Sequence, residues 1–121
     1  MTEGQFRVEM EAMAQTPGLG GCALVEVDSG MVLYAAGSDT NTHNIAEASV
    51  GFWRLSQRLD AYTESLGPLH AQSLVHSRGQ VIIMPCGGRA LMVALVRARN
   101  SIDWVDWKQR VSALGDLVDS L

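Results

Sequence analysis

The chain has 121 residues, of which 47% are apolar and 18% charged, the size and composition of one packed domain that needs no staples. A net charge of −4, a pI of about 5.2 and a single lysine, Lys108, exclude the basic stripe with which a nucleic-acid binder displaces counterions. Cys22 and Cys86 are too few for a disulfide scaffold. No apolar run approaches the roughly 18 residues of a membrane span, and "MTEGQFRVEMEAMAQ" carries acids where a signal peptide needs basic and then apolar residues, so the expected setting is the cytoplasm with both thiols reduced.

Residues 3–15 read as a helix, with Phe6, Met10 and Met13 at helical spacing. "TPGLGG" (16–21) stops it. "CALVEV" (22–27) is a strand apolar on both faces except at Glu26, the pattern of a strand covered on both sides. "DSG" (28–30) turns the chain into a returning strand, "MVLYAA" (31–36), with Gly30 free to take positive φ. After the polar "GSDTNTHN", Thr42 or Asn44 is placed to cap a long helix over 45–66, Glu47 completing a capping box with Asn44. Its main apolar stripe is Ile45, Ala48, Phe52, Leu55, Leu59, Tyr62 and Leu66, in alternating steps of three and four, which predicts the buried face. Gly67 and Pro68 end the helix.

Three strands follow: 69–76, less apolar and so expected at a sheet edge; 80–84; and 90–97, the most continuously apolar and expected at the centre. A last helix over about 103–120 has Ser101 or Asp103 near its cap and a stripe of Trp104, Trp107, Val111, Leu114, Val118 and Leu121. Short strand-to-strand links require antiparallel neighbours, and two-sided apolar strands require helices on both faces. The expected fold is one α/β (α+β) domain over 1–121, a three-layer α/β/α sandwich on a five-stranded, mainly antiparallel sheet, in the order α-β-β-α-β-β-β-α.

Chemistry is sparse. "GLGGCALV" lacks the Lys and hydroxyl of a P-loop, and its glycines lie between a helix and a strand, the reverse of a dinucleotide fingerprint. Cys86 in "PCGG" has the form of a nucleophile only if a base stands beside it, and sequence places none of His43, His70 or His76 there. The cysteines and histidines show no metal-binding spacing. Catalytic, cofactor and metal sites are therefore expected to be absent.

An interface is better supported. Ala46, Val50, Trp53, Gln57 and Ala61 form a second, mixed stripe on the long helix, with Arg54 beside it. On the expectation that the other stripe is buried, a Trp and Val flanked by Arg make a contact surface. The edge strand, with His70, Gln72 and Leu74, offers free backbone groups for pairing with another chain.

The order and spacing of "TPGLGGCALVEVDSGMVLYAAG", "AEASVGFWRLSQRL" and "LVHSRGQVIIMPCGGRALMVALVR", closed by a Trp-bearing helix, resemble the Roadblock/dynein light chain domain, bacterial branch, over nearly the whole chain. The resemblance implies a homodimer in which sheets join edge to edge and central helices pack together. It also implies a non-enzymatic role, scaffolding complexes or regulating a small Ras-like GTPase, in some members as a GTPase-activating partner. Arg54 or Arg58 is then a candidate to touch a GTPase. The competing readings are a signalling scaffold with no GTPase, a small-molecule-sensing domain, and a hydrolase or redox enzyme built on Cys86.

Overall fold

The computed structural model describes residues 3–98 and 101–120. In chain order the elements are α1 (Glu3–Ala14), β1 (Leu19–Glu26), β2 (Val32–Gly37), α2 (Thr42–Arg58), a one-turn α3 (Asp60–Thr63) that runs into a 3-10 turn (Glu64–Leu66), β3 (Gln72–His76), β4 (Gly79–Cys86), β5 (Ala90–Val96) and α4 (Trp104–Asp119). The strands form one antiparallel sheet in the order β2-β1-β5-β4-β3. β5 is central and buried along its whole length, while β3 is an edge, both as its composition predicts.

Helices cover both faces. Phe6, Met10 and Met13 of α1 and Trp107, Val111, Leu114 and Val118 of α4 pack on Cys22, Leu24, Met84 and Met92. On the opposite face α2 lies alone, over Ala23, Val25, Leu91 and Val93. Alternate residues of β1 and β5 thus serve different layers, which is why both strands read as unbroken apolar runs. Leu121, assigned to the α4 stripe, lies outside the described residues.

Local chemistry sets the ends of the elements. Gly30 closes the β1–β2 turn with φ of 73°, a left-handed geometry that side chains disfavour. Asp103 caps α4 by accepting the Asp106 N–H at 3.0 Å. α2 begins earlier than its predicted start. Asn41 is its N-cap without a side-chain bond, and the entry is held instead by Asp39, which accepts the Asn41 N–H at 3.0 Å and, through its carbonyl, the Thr42 hydroxyl at 2.8 Å. Asp39 also pairs with Arg97. The Asn41 N–H and then the Arg97 guanidinium hold its carboxyl below the usual value. At the other end, the predicted helix over 45–66 stops at Arg58. Leu59 leaves helical geometry with φ of −94° and ψ of 6°, and no Gly or Pro marks the break. Gly67 does end the segment, as predicted, with φ of 82°.

α4 meets the β4–β5 turn at two glycines. A Cβ on Gly115 would stand 2.3 Å from the Gly87 nitrogen, so the helix can reach the sheet there only without a side chain. Asp119 accepts the Gly88 N–H at 2.9 Å and Arg89 donates to the Val118 carbonyl at 2.9 Å, which fastens the same turn to the end of α4. No described helix is long and apolar enough to cross a membrane.

Candidate functional site

Two apolar stripes run along α2, and only one can face the sheet. The structure turns Ala46 (0% exposed), Ser49, Val50 (2%) and Trp53 (6%) inward. This corrects the predicted interface: Ala46, Val50 and Trp53 are core residues of the single chain. The larger stripe, predicted to be buried, faces outward instead from Ala48 on, with Phe52, Leu55 and Leu59 at 44–54% exposure, while its first member, Ile45, is half-buried against the core. Beyond the helix break Tyr62 and Leu66 are exposed as well. Small Ala46 and Ser49, and Thr42 seated against Gly21, let the helix lie close to the sheet. Phe52 and Leu55 on that side would hold it off.

The remaining predicted interface residues divide into groups. Arg54 is exposed but engaged, its Nη2 donating to the carbonyls of Val27 and Asp28 at 2.6 and 2.8 Å. It ties α2 to the β1–β2 turn and is not a free cation. Gln57 and Ala61 are exposed, and Gln57 borders a hollow of about 480 Å³ with Trp53, Asp60, Glu64 and Leu69. Gln72 joins the edge strand to the helix: its Nε2 donates to the Phe52 carbonyl at 3.3 Å and the Ser56 hydroxyl at 2.6 Å. Leu74 is half-buried against the α2 side of the sheet. His70 stands apart, before β3 begins, near Lys108 and Asp116 beside α4.

Gln72, Leu74 and the outward stripe therefore form one continuous surface. Between them lies an open groove of about 820 Å³, walled by Ile45, Ala48 and Phe52 on one side and by Leu74 and Val75 on the other. The outer edge of β3 pairs with nothing among the described residues. Large apolar side chains beside a free strand edge are the chemistry of a protein contact. Sequence reasoning named the helix and the strand but missed Phe52, Leu55 and Leu59. One signal pointed to them: the stripe from 45 to 66 is longer than the strands it was meant to cover, so part of it had to remain outside.

The thiols do not form a nucleophilic site. Cys86 and Cys22 are fully buried, and each thiol donates to a backbone carbonyl, Cys86 to that of Val111 at 3.5 Å and Cys22 to that of Met10 at 3.9 Å. Burial pushes both up to about 12, for Cys86 with a smaller contribution from the Asp119 charge. At neutral pH both are protonated.

The fold is shared with solved structures. The Roadblock/LC7 domain from Streptomyces avermitilis superposes with a TM-score of 0.75 at 15% identity, over 93% of each chain. This is the Roadblock/LC7 fold. MglB of Myxococcus xanthus matches over 100% of both chains, with a TM-score of 0.75 and 13% identity. The gliding protein MglB of Thermus thermophilus matches over 98% of this chain and 91% of its own, with a TM-score of 0.77 and 16% identity. By sequence, no protein-family model and no curated protein matches the chain. A Roadblock/LC7 fold at such low identity leaves the side chains of the surface to speak for function.

Proposed function

We propose that this Roadblock/LC7-fold protein is a non-catalytic, homodimeric cytoplasmic adaptor that scaffolds or modulates a small Ras-like GTPase. One observation carries the reading: Phe52, Leu55 and Leu59 stand outward on α2 beside the unpaired edge of β3. An apolar helix face next to a free edge offers side-chain burial and backbone hydrogen bonds to the same partner, and a second copy presents the same surface in return. The GTPase follows from the resemblance of the sequence to Roadblock domains. Any nucleotide belongs to that partner. Of the two arginines considered for GTPase contact, Arg58 is the one that makes no hydrogen bond or ion pair among the described residues; Arg54 is held by the β1–β2 turn.

The test is a pull-down from the native cytoplasm with wild-type protein and with Phe52→Glu, in GTP and in GDP. The expected result is a GTPase retained preferentially in one nucleotide state and lost with Phe52→Glu, together with a solution mass of two chains that falls to one in the variant. Retention of other signalling proteins with no nucleotide dependence overturns the GTPase part and favours a GTPase-independent scaffold. A wild-type protein that stays a single chain at micromolar concentration overturns the homodimer.

A further inference from the structure

The sheet-facing stripe of α2 does not end where its apolar part ends. Ala46, Val50 and Trp53 lie over the strands, and the same alternating steps of four and three carry on through Gln57, Asp60 and Glu64. A helix stripe turned toward a sheet stays apolar as long as it has a sheet to cover. Beyond Trp53 this one becomes polar and then acidic. The helix breaks at Leu59, the one-turn α3 and the 3-10 turn follow, and Gly67, with φ of 82°, sends the chain back toward β3. These segments border the hollow of about 480 Å³ at the end of α2, which is lined by Trp53, Gln57, Asp60, Thr63 and Glu64, with Leu69 on the returning side.

The lining accepts hydrogen bonds and carries negative charge. Asp60 and Glu64 make no ion pair among the described residues, and Arg58, the nearest base in sequence, lies outside the lining. Thr63 donates its hydroxyl proton to the Leu59 carbonyl at 3.4 Å, so its oxygen has only lone pairs left to offer. Gln57 adds an amide. Trp53, 6% exposed and packed in the core between α2 and the sheet, is a fixed aromatic wall. Carboxylates on an open helix surface are ordinarily solvated; these two share a hollow with an indole that the core holds still. Acceptors, uncompensated negative charge and an indole are together the recognition chemistry of an organic cation. The volume lies within the roughly 300–1,000 Å³ of small-ligand sites.

We propose that this hollow binds a small organic cation, an alkylguanidinium or alkylammonium, whose charged group is held by Asp60 and Glu64 and whose methylene chain lies on Trp53 and Leu69. A guanidinium carries five N–H donors in one plane, enough to meet both carboxylates and the Thr63 oxygen at once. Its alkyl stem covers apolar surface while the charged end stays with the acids. The site goes beyond the adaptor role and does not depend on it, because the whole lining comes from one chain. It gives the small-molecule-sensing reading of the sequence a location and a ligand class.

The experiment titrates the full chain with agmatine, which carries a guanidinium and an ammonium on one alkyl chain, and follows it by calorimetry and by tryptophan fluorescence. Saturable binding of one agmatine per chain is expected, with a change in emission. Asp60→Asn with Glu64→Gln is expected to weaken binding about tenfold or more. Asp28→Asn with Glu47→Gln removes the same charge from exposed positions elsewhere and is expected to leave binding unchanged. Trp53→Phe keeps an aromatic ring in the core and is expected to weaken binding about threefold and to abolish the emission change, since Trp104 and Trp107 pack on the opposite face of the sheet. Circular dichroism checks that each variant folds, and the exposed carboxylate pair carries the test where Trp53→Phe does not fold. Binding that never saturates in the wild type overturns the site. Equal weakening by the two carboxylate pairs reduces the effect to net charge and overturns it as well. A capped Ala-Arg-Ala peptide that binds more tightly than agmatine assigns the hollow to an arginine of a partner protein and overturns the free-cation ligand. A wild type that stays a single chain removes the homodimer and leaves this site standing.

Discussion

Cys22 and Cys86 tie stability to pH. Burial holds each thiol up to about 12 in the fold, against an ordinary value of 9.0. An acid whose folded value is raised adds stability that is complete below the unfolded value and is lost as pH rises toward the folded one. The window is therefore about pH 9 to about 12, where each thiol lowers stability by about 1.4 kcal/mol per pH unit. Denaturant midpoints at neutral pH and at about pH 11 should separate steeply for the wild type and much less for Cys22→Ala with Cys86→Ala. An equal separation in both proteins sinks the assignment. Gly115 tests a steric claim at the same scale. In an open helix, Gly→Ala is stabilising by up to about 1 kcal/mol. Here the new Cβ meets the Gly87 nitrogen at 2.3 Å, and overpacking against backbone costs about 1–3 kcal/mol or more. Gly115→Ala should lower the denaturation midpoint, and a raised midpoint shows that the helix moves aside at little cost.

At the scale of elements, the order of helices and strands along the chain, the central place of β5, the edge place of β3, and the faces of α1 and α4 were all legible, because each of those segments has one apolar pattern. α2 has two. Periodicity reports that a stripe exists, not which of two stripes the sheet selects, and the richer one was the wrong choice. Packing distance made the selection: Ala46 and Ser49 admit close approach, and Trp53 reaches into the space near the helix end. The stop at Leu59 was invisible because no Gly or Pro stands there. A pair of variants checks the exchange. Trp53→Ala removes a side chain that is 6% exposed and should cost about 3–5 kcal/mol of stability. Phe52→Ala, at 44% exposure, should change the stability of the single chain by less than about 1 kcal/mol while weakening self-association. Thermal melts at low concentration, set beside sedimentation, distinguish the two effects. The reverse ranking in the melts would restore the sequence-based choice of face.

For the whole molecule the decisive question is where assembly stops. Among the described residues the sheet has two free edges, β2 and β3, and a molecule that joined β3 to β2 of the next copy would build an open chain, because a head-to-tail contact closes only at special rotations. A β3-to-β3 contact uses the same surface on both copies and is finished at two. The two edges differ in what stands beside them. β3 adjoins the outward apolar face of α2 and its groove. β2 is irregularly paired with β1 at Leu24/Val25, and it lies between α1 and α2, each of which packs against it, with Tyr34 bonded to Glu11 of α1 at 2.5 Å. Bulges and neighbouring cover are the usual means of keeping an edge from pairing. Light scattering over a wide concentration range should therefore show the mass rise to two chains and stay there. Growth beyond two that survives Leu74→Lys but is abolished by Leu33→Lys would assign the growing contact to β2 and remove the closed two-fold assembly on which the adaptor reading depends.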